Sequence, residues 1–142
     1  MSKLTNHLQT AIRFAQALDE SDDGTIIADM LSVDCVYSVR DEIHLGPDAI
    51  VATYVENDKN AQSKFDRVEY QSDVEPLSNT RFAVNYLDRL THSGKTYDHR
   101  CQQILTFNKA GLICQIKHVD LPGETESLKS FLDSVGVNLN ED

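Results

Sequence analysis

The sequence predicts an α+β fold, with N-terminal helices packed on a strongly curved, mostly antiparallel sheet that forms a cone-shaped pocket. Three features carry this reading. Residues 3–19 place apolar side chains at three- and four-residue spacing, the pattern of an amphipathic helix. Residues 65–121 instead read as four long strands with no helical pattern between them. The breaks between those strands are short turn clusters, and strands joined by short connections lie antiparallel. Helices gathered ahead of a meander cover one face of its sheet. Long strands twist and curl, so the covered side becomes a tapering space.

The elements follow in order. Leu4, Leu8, Ala11, Ile12, Ala15 and Leu18 form the apolar stripe of the first helix, with Asn6, Gln9, Arg13 and Gln16 opposite. Ser21-Asp22-Asp23-Gly24 breaks it, and Asp22 can cap a second short helix through Leu31. Thr25 to Leu31 carries no Arg or Lys, so the helix pair reads as a packing unit, not a DNA reader. Val33 to Val39 alternates and is rich in β-branched residues, the mark of a strand. Gly46-Pro47-Asp48 starts a helix to about Asn60, because proline's missing N–H costs nothing at the first helical position. Ile50, Val51, Tyr54 and Val55 are its inward side. Turns at Pro76 to Asn79, Ser93-Gly94 and Asn108 to Gly111 divide the meander, and Pro122-Gly123 ends it. A final helix, about Glu124 to Val135, shows Leu128, Phe131, Leu132 and Val135 on one face and Gly136 as its stop. Asn138 to Asp142 is expected to fray. One domain spans residues 1–142, with its core at about 3–121.

Composition narrows the function classes. The 142 residues, 40% hydrophobic and 25% charged, suffice for one continuous core. Thirteen basic against 23 acidic residues give a net charge of −10, a field that repels phosphate backbones and anionic lipid. Nucleic acid and membrane are therefore not expected partners, and no stretch reaches the roughly eighteen apolar residues of a membrane helix. Cys35, Cys101 and Cys114 match no zinc spacing and nothing at the N-terminus resembles a signal peptide, so a cytoplasmic setting with buried, inert thiols is expected. No cofactor is expected: glycine-rich phosphate loop, nucleophile elbow and zincin motif are all missing. No metal is expected either, because the inward His and Asp residues come from separate strands without diagnostic spacing.

Alternation assigns the strand faces. Arg81, Asn85 and Arg89 point outward, while Phe82, Val84, Tyr86 and Leu90 point inward with Asp88 among them. On the next strand Asp98, Arg100 and Gln102 point outward. Tyr97, His99, Cys101, Gln103, Leu105 and Phe107 point inward. On the last strand Leu112, Cys114 and Ile116 point inward, followed by His118 and Asp120. Each inner face thus begins apolar and turns polar at one end. A tight turn at Ser93-Gly94 pairs 88 with 99 and 86 with 101. A two-residue turn at Lys109-Ala110 pairs 99 with 120 and 101 with 118. The expected result is a row of Asp88, His99 and Asp120 beside a row of Tyr86, Cys101 and His118. Opposite residues have Cβ atoms about 4.5–5.5 Å apart, within reach of a carboxylate–imidazole bond. The polar ends read as a wet rim, a structural network or an acid–base site.

At this point the chain resembles the nuclear transport factor 2-like superfamily, the cone-shaped fold of steroid isomerases, polyketide cyclases and scytalone dehydratase. The resemblance covers residues 8–121. It is carried by Arg13-Phe14-Ala15-Gln16-Ala17-Leu18-Asp19, by Met30 to Tyr37, by Gly46-Pro47-Asp48-Ala49-Ile50, and by Phe107, Gly111 and Ile113 around the last hairpin. The resemblance does not imply steroid isomerase chemistry: the catalytic tyrosine of those enzymes falls at Phe14, their base at Val39 and their protonated aspartate at Gln103. Dehydratases of the superfamily use an Asp–His pair, for which His99 or His118 with Asp88 or Asp120 is suited; their helical-side aspartate has no match beyond nearby Asp34. The Asp-Arg-Asp set of the epoxide hydrolases is echoed by Asp98, Arg100 and Asp120, but Asp98 and Arg100 read as outward. Many relatives pair through the outer sheet face, which here carries Ala83, Leu87, Ile104, Ile113 and Val119, so a homodimer is expected.

The function expected is a small-molecule-binding domain of lyase or isomerase type. His99 would be the general base, oriented by Asp88 and Asp120. Tyr86, Gln103 and His118 would position substrate oxygens, Cys101 would line the ligand site with them, and Phe14, Val84 and Ile116 would form the apolar wall. The ligand would be compact, largely apolar, and would carry hydroxyl or carbonyl groups. The alternative is a non-catalytic ligand-binding or dimeric protein-association domain of the same fold.

Overall fold

A computed structural model describes residues 3–139 of the chain. The helices are α1 (Lys3–Asp19), α2 (Thr25–Ala28), α3 (Pro47–Lys64) and α4 (Glu124–Val135). The strands are β1 (Leu31–Val39), β2 (Glu42–Leu45), β3 (Arg67–Pro76), β4 (Arg81–His92), β5 (Lys95–Phe107) and β6 (Ile113–Asp120). They form one six-stranded sheet in the order β2-β1-β6-β5-β4-β3, and only β1 and β6 run parallel. Among the described residues no helix is long and apolar enough to cross a membrane.

α1 and α3 lie across the inner face of the sheet. Phe14, Ile27, Ile50, Phe82, Val84, Leu105, Ile113 and Ile116 are fully buried and join helices to strands in one core. A smaller cluster, Phe65, Leu90 and Phe131 with Tyr97, Leu128 and Leu132, docks α4 on the hairpin end of β4 and β5. Burying a phenylalanine stabilises by roughly 1.5–3 kcal/mol, so Phe131 is the main anchor of α4. Gly24 has φ 98, and a Cβ there would lie 2.1 Å from Val51 Cγ1. Only glycine lets the start of α2 approach α3 this closely.

Several expectations change. α2 ends at Ala28 because the next residues are drawn into the sheet: Met30 carbonyl accepts from Ile113 N–H at 2.8 Å, and Leu31 pairs with Ile113. β2 has no counterpart in the sequence pattern; Arg40, at φ 53, turns the chain so that Glu42–Leu45 pairs back on β1. The frayed tail expected at Asn138 to Asp142 falls largely outside the described residues, while Leu139 packs against the α4 cluster.

The β4–β5 register is the one counted from the Ser93-Gly94 turn, with Asp88 opposite His99 and Tyr86 opposite Cys101. The β5–β6 register is not. Cys101 lies opposite Asp120 and Gln103 opposite His118, two residues away from the expected pairing. The connection is longer than a two-residue turn. Asn108 Oδ1 accepts from the N–H groups of Ala110 and Leu112, at 2.9 and 3.1 Å, and a bulge interrupts pairing at Thr106 and Phe107. A shift of two keeps His118 and Asp120 on the face assigned to them but slides Asp120 away from His99. Beyond the bulge Ile113 turns into the core rather than onto the outer face.

Candidate functional site

A cavity of about 210 Å³ lies between the two long helices and the sheet. α1 contributes Leu18 and Asp19. α3 contributes Tyr54, Asn57, Asp58 and Ala61, which share one helical face by their spacing. The sheet contributes Tyr37, Tyr70, Tyr86, Asp88, Leu90, Cys101, Gln103 and His118.

Gln103, 4% exposed, organises one end. Its Oε1 accepts from the Tyr54 hydroxyl at 2.7 Å and the Tyr86 hydroxyl at 3.1 Å. Its amide nitrogen donates to Tyr37 Oη at 3.0 Å and to His118 Nδ1 at 3.3 Å. His118 Nε2 then donates to Asp120 Oδ1 at 3.1 Å, and Arg40 Nη2 donates to the same oxygen at 3.1 Å. This network assigns His118 the tautomer with its proton on Nε2. Burial lowers the His118 pKa despite the Asp120 charge, so the ring is neutral near pH 7. Burial pushes the Tyr37 hydroxyl up to about 12 and raises those of Tyr54 and Tyr86, so all three stay protonated. Tyr37 also stacks on Tyr54, centroids 5.2 Å apart.

The other end is acidic. Asp19 Oδ2 accepts from the Ser72 hydroxyl at 2.6 Å, while its Oδ1 is buried without a partner. Asp58 Oδ1 accepts from the Tyr70 hydroxyl at 2.7 Å. Asp88 makes no hydrogen bond or ion pair to a described side chain. Burial, with the Asp19 charge as a smaller cause, raises its pKa from 3.8 to about 6. Burial also raises the pKa of Asp19.

Asp88, Tyr86, Cys101, Gln103 and His118 therefore line the cavity together, as the alternation predicted. Phe14, Val84 and Ile116 are instead packed solid within the core. Asp120 stands behind His118, at the more open rim. His99 turns toward α4: its Nδ1 lies 3.6 Å from Glu124 Oε2, buried and without a hydrogen bond. Burial lowers its pKa more than Glu124 raises it. Tyr97 holds the same Glu124 carboxylate through its hydroxyl, at 2.5 Å. The thiol of Cys101 is pushed up to about 12 by burial, which leaves it a protonated wall atom. Among the described residues no group of three or more His, Cys, Asp or Glu could hold a metal ion.

Sequence reading missed Asp19, Asp58 and Tyr70. The signal for Asp58 was present, four residues after the inward Tyr54 and hence on the same helical face. Tyr70 lies opposite Asp88 on β3, so alternation from Val68 would have found it.

No family model and no curated protein sequence matches the chain. Solved structures do. A protein from a soil-derived mobile gene cassette is 14% identical, covering 82% of this chain and 90% of its own, with a TM-score of 0.67. An LEH-like epoxide hydrolase from M. tuberculosis is 15% identical, with 93% and 96% covered and a TM-score of 0.65. A candidate SnoaL-like polyketide cyclase from Jannaschia sp. CCS1 is 12% identical, with 92% of each chain covered and a TM-score of 0.68. The chain has the cone-shaped nuclear transport factor 2-like fold.

Proposed function

We propose that this chain binds a compact, largely apolar molecule bearing a hydroxyl or carbonyl oxygen, and moves a proton on it as a lyase or isomerase. The observation that carries the reading is Asp88, a carboxylate on the cavity wall with no hydrogen-bond partner and a pKa raised to about 6. A base poised near the working pH combines availability with driving force. In this reading Asp88 takes the proton from carbon. Tyr86, two residues along β4 on the same face, then donates to the developing oxyanion. Its 3.1 Å bond to Gln103 is the longer of the two on that oxygen, so its hydroxyl is the one a substrate recruits. His118 and Asp120 hold Gln103 in place. This shifts the base role expected of His99 to Asp88 and leaves His99 outside the cavity lining, packed beside Glu124.

A second reading, ligand binding without catalysis, is favoured by the Gln103 amide, whose two donors and two acceptor positions are already used. One experiment separates them. Compact ketones (cyclohexanone, tropinone and 3-quinuclidinone) are incubated in deuterium oxide near neutral pH, and α-proton exchange is followed by NMR. Exchange above the buffer rate, lost in Asp88→Asn and kept in the outward control Arg100→Ala, supports catalysis. Equal rates in both variants would rule it out.

We further propose a homodimer through the outer sheet face. Register places Ile43, Ser38, Lys117, Ile104 and Ala83 in one row on that face, and Ile43 and Leu45 are 66% and 67% exposed. The three cysteines are free, which supports a reducing, cytoplasmic setting.

A further inference from the structure

We propose that the ligand of this cavity carries a protonated amine, held by Asp19, Asp58 and Asp88 opposite the Gln103 end. The inference rests on the cavity being a ligand site and names the charge its ligand brings. The three carboxylates arrive from three elements, α1, α3 and β4, and among the described residues no Lys or Arg lines the space they share. None of the three takes part in an ion pair of the described residues. Their protein donors are neutral, the Ser72 hydroxyl on Asp19 and the Tyr70 and Ser21 hydroxyls and Gln62 amide on Asp58 Oδ1, and these leave Asp19 Oδ1 buried and unpartnered. Buried carboxylate oxygens without donors are costly. A donor brought by the ligand relieves that cost; water in the cavity or protonation are the competing ways.

The helix geometry adds to the field. Asp19 is the last residue of α1, and the final turn of that 17-residue helix has no basic side chain. The negative end of the helix dipole is thus directed at a site that already holds carboxylates. The carboxylates do not converge as metal ligands do. They are spread along a wall that also carries the rings of Tyr37, Tyr54, Tyr70 and Tyr86. Separated acceptors beside aromatic faces suit an alkylammonium, whose N–H groups point in several directions and whose carbon body lies on the rings. At about 210 Å³ the space is below the usual range of roughly 300–1,000 Å³ for drug-sized ligands, so the molecule is small.

The test compares charged and neutral probes of similar shape. Binding of phenethylamine and tropinone is measured against 2-phenylethanol and cyclohexanone near neutral pH, by NMR titration of the wild type, Asp19→Asn and Asp88→Asn. The amines are expected to bind about tenfold or more tightly than their neutral partners, the preference that one charge-assisted hydrogen bond supplies. Each of the two substitutions should reduce that ratio while the variant remains folded by its amide spectrum. Neutral probes binding as well as the amines would overturn the ammonium reading and leave the cavity a ligand site. Amine binding unchanged in both variants would likewise overturn it, by placing the amine elsewhere. If none of the four probes binds, both this inference and the proposed function fall.

Discussion

Replacing Asp88 by asparagine should stabilise the protein, by an amount that depends on pH. In the folded chain the carboxyl titrates at about 6 instead of 3.8, chiefly because burial penalises its charged form and secondarily because Asp19 is near. A folded value above the unfolded one means that the folded state holds the proton more tightly. The penalty is therefore missing below about pH 4, grows between about pH 4 and 6, and is complete above that. The displacement corresponds to about 3 kcal/mol. The amide of the Asp88→Asn variant cannot ionise, so its stability relative to wild type should rise by about 3 kcal/mol from about pH 4 to pH 7.5. That is roughly 10 °C in melting temperature for a chain of this length. Urea midpoints of both proteins across this range measure the difference, in which titrations common to both cancel. A difference that stays flat with pH, or that falls as pH rises, would refute the assignment of Asp88 as a half-buried, unpartnered carboxylate whose charged form the cavity wall disfavours.

Gly24→Ala should cost about 2 kcal/mol, because its φ of 98 disfavours a side chain and the new Cβ meets Val51 Cγ1. Thermal melts should show part of that loss recovered in the double variant with Val51→Ala; no recovery would refute the steric cause. The outer face should make the protein a dimer at micromolar concentration, and Ile104→Asp, on the row that includes Ile43 and Ala83, should render it monomeric by sedimentation velocity. A wild-type monomer would refute the interface.

The fold was legible because its signals are local. The stripe of α1, Gly46-Pro47 ahead of α3 and the Gly136 stop after α4 each act within a few residues, and the corresponding helices lie where those signals put them. The β4–β5 register was equally local, since Ser93 and Gly94 both take positive φ and make a two-residue turn. β2 was invisible for the opposite reason. Its Glu42–Leu45 sequence is too short to show a period, and it becomes a strand by pairing with β1.

The site was legible only in part, and the dividing line is which quantity each inference needed. Assigning Asp88, Gln103 and His118 to the inner face needed only parity, and parity survives any even slip of register. Joining Asp88, His99 and Asp120 into a row needed the register itself. That depended on Asn108, whose side chain satisfies two loop N–H groups and so supports a longer connection than two residues. The slip of two replaced His99 by Cys101 as the neighbour of Asp120 and brought His118 opposite Gln103. The helix carboxylates were hidden for a different reason. An aspartate at the end of α1 and another on a mixed face of α3 look like solvent-facing residues until the sheet closes over them. Strand alternation can reveal one wall of such a cavity. The opposite wall belongs to helices whose rotation is set by Phe14, Ile27 and Ile50 packing in the core, and by that rotation Asp19 and Asp58 come to face Asp88.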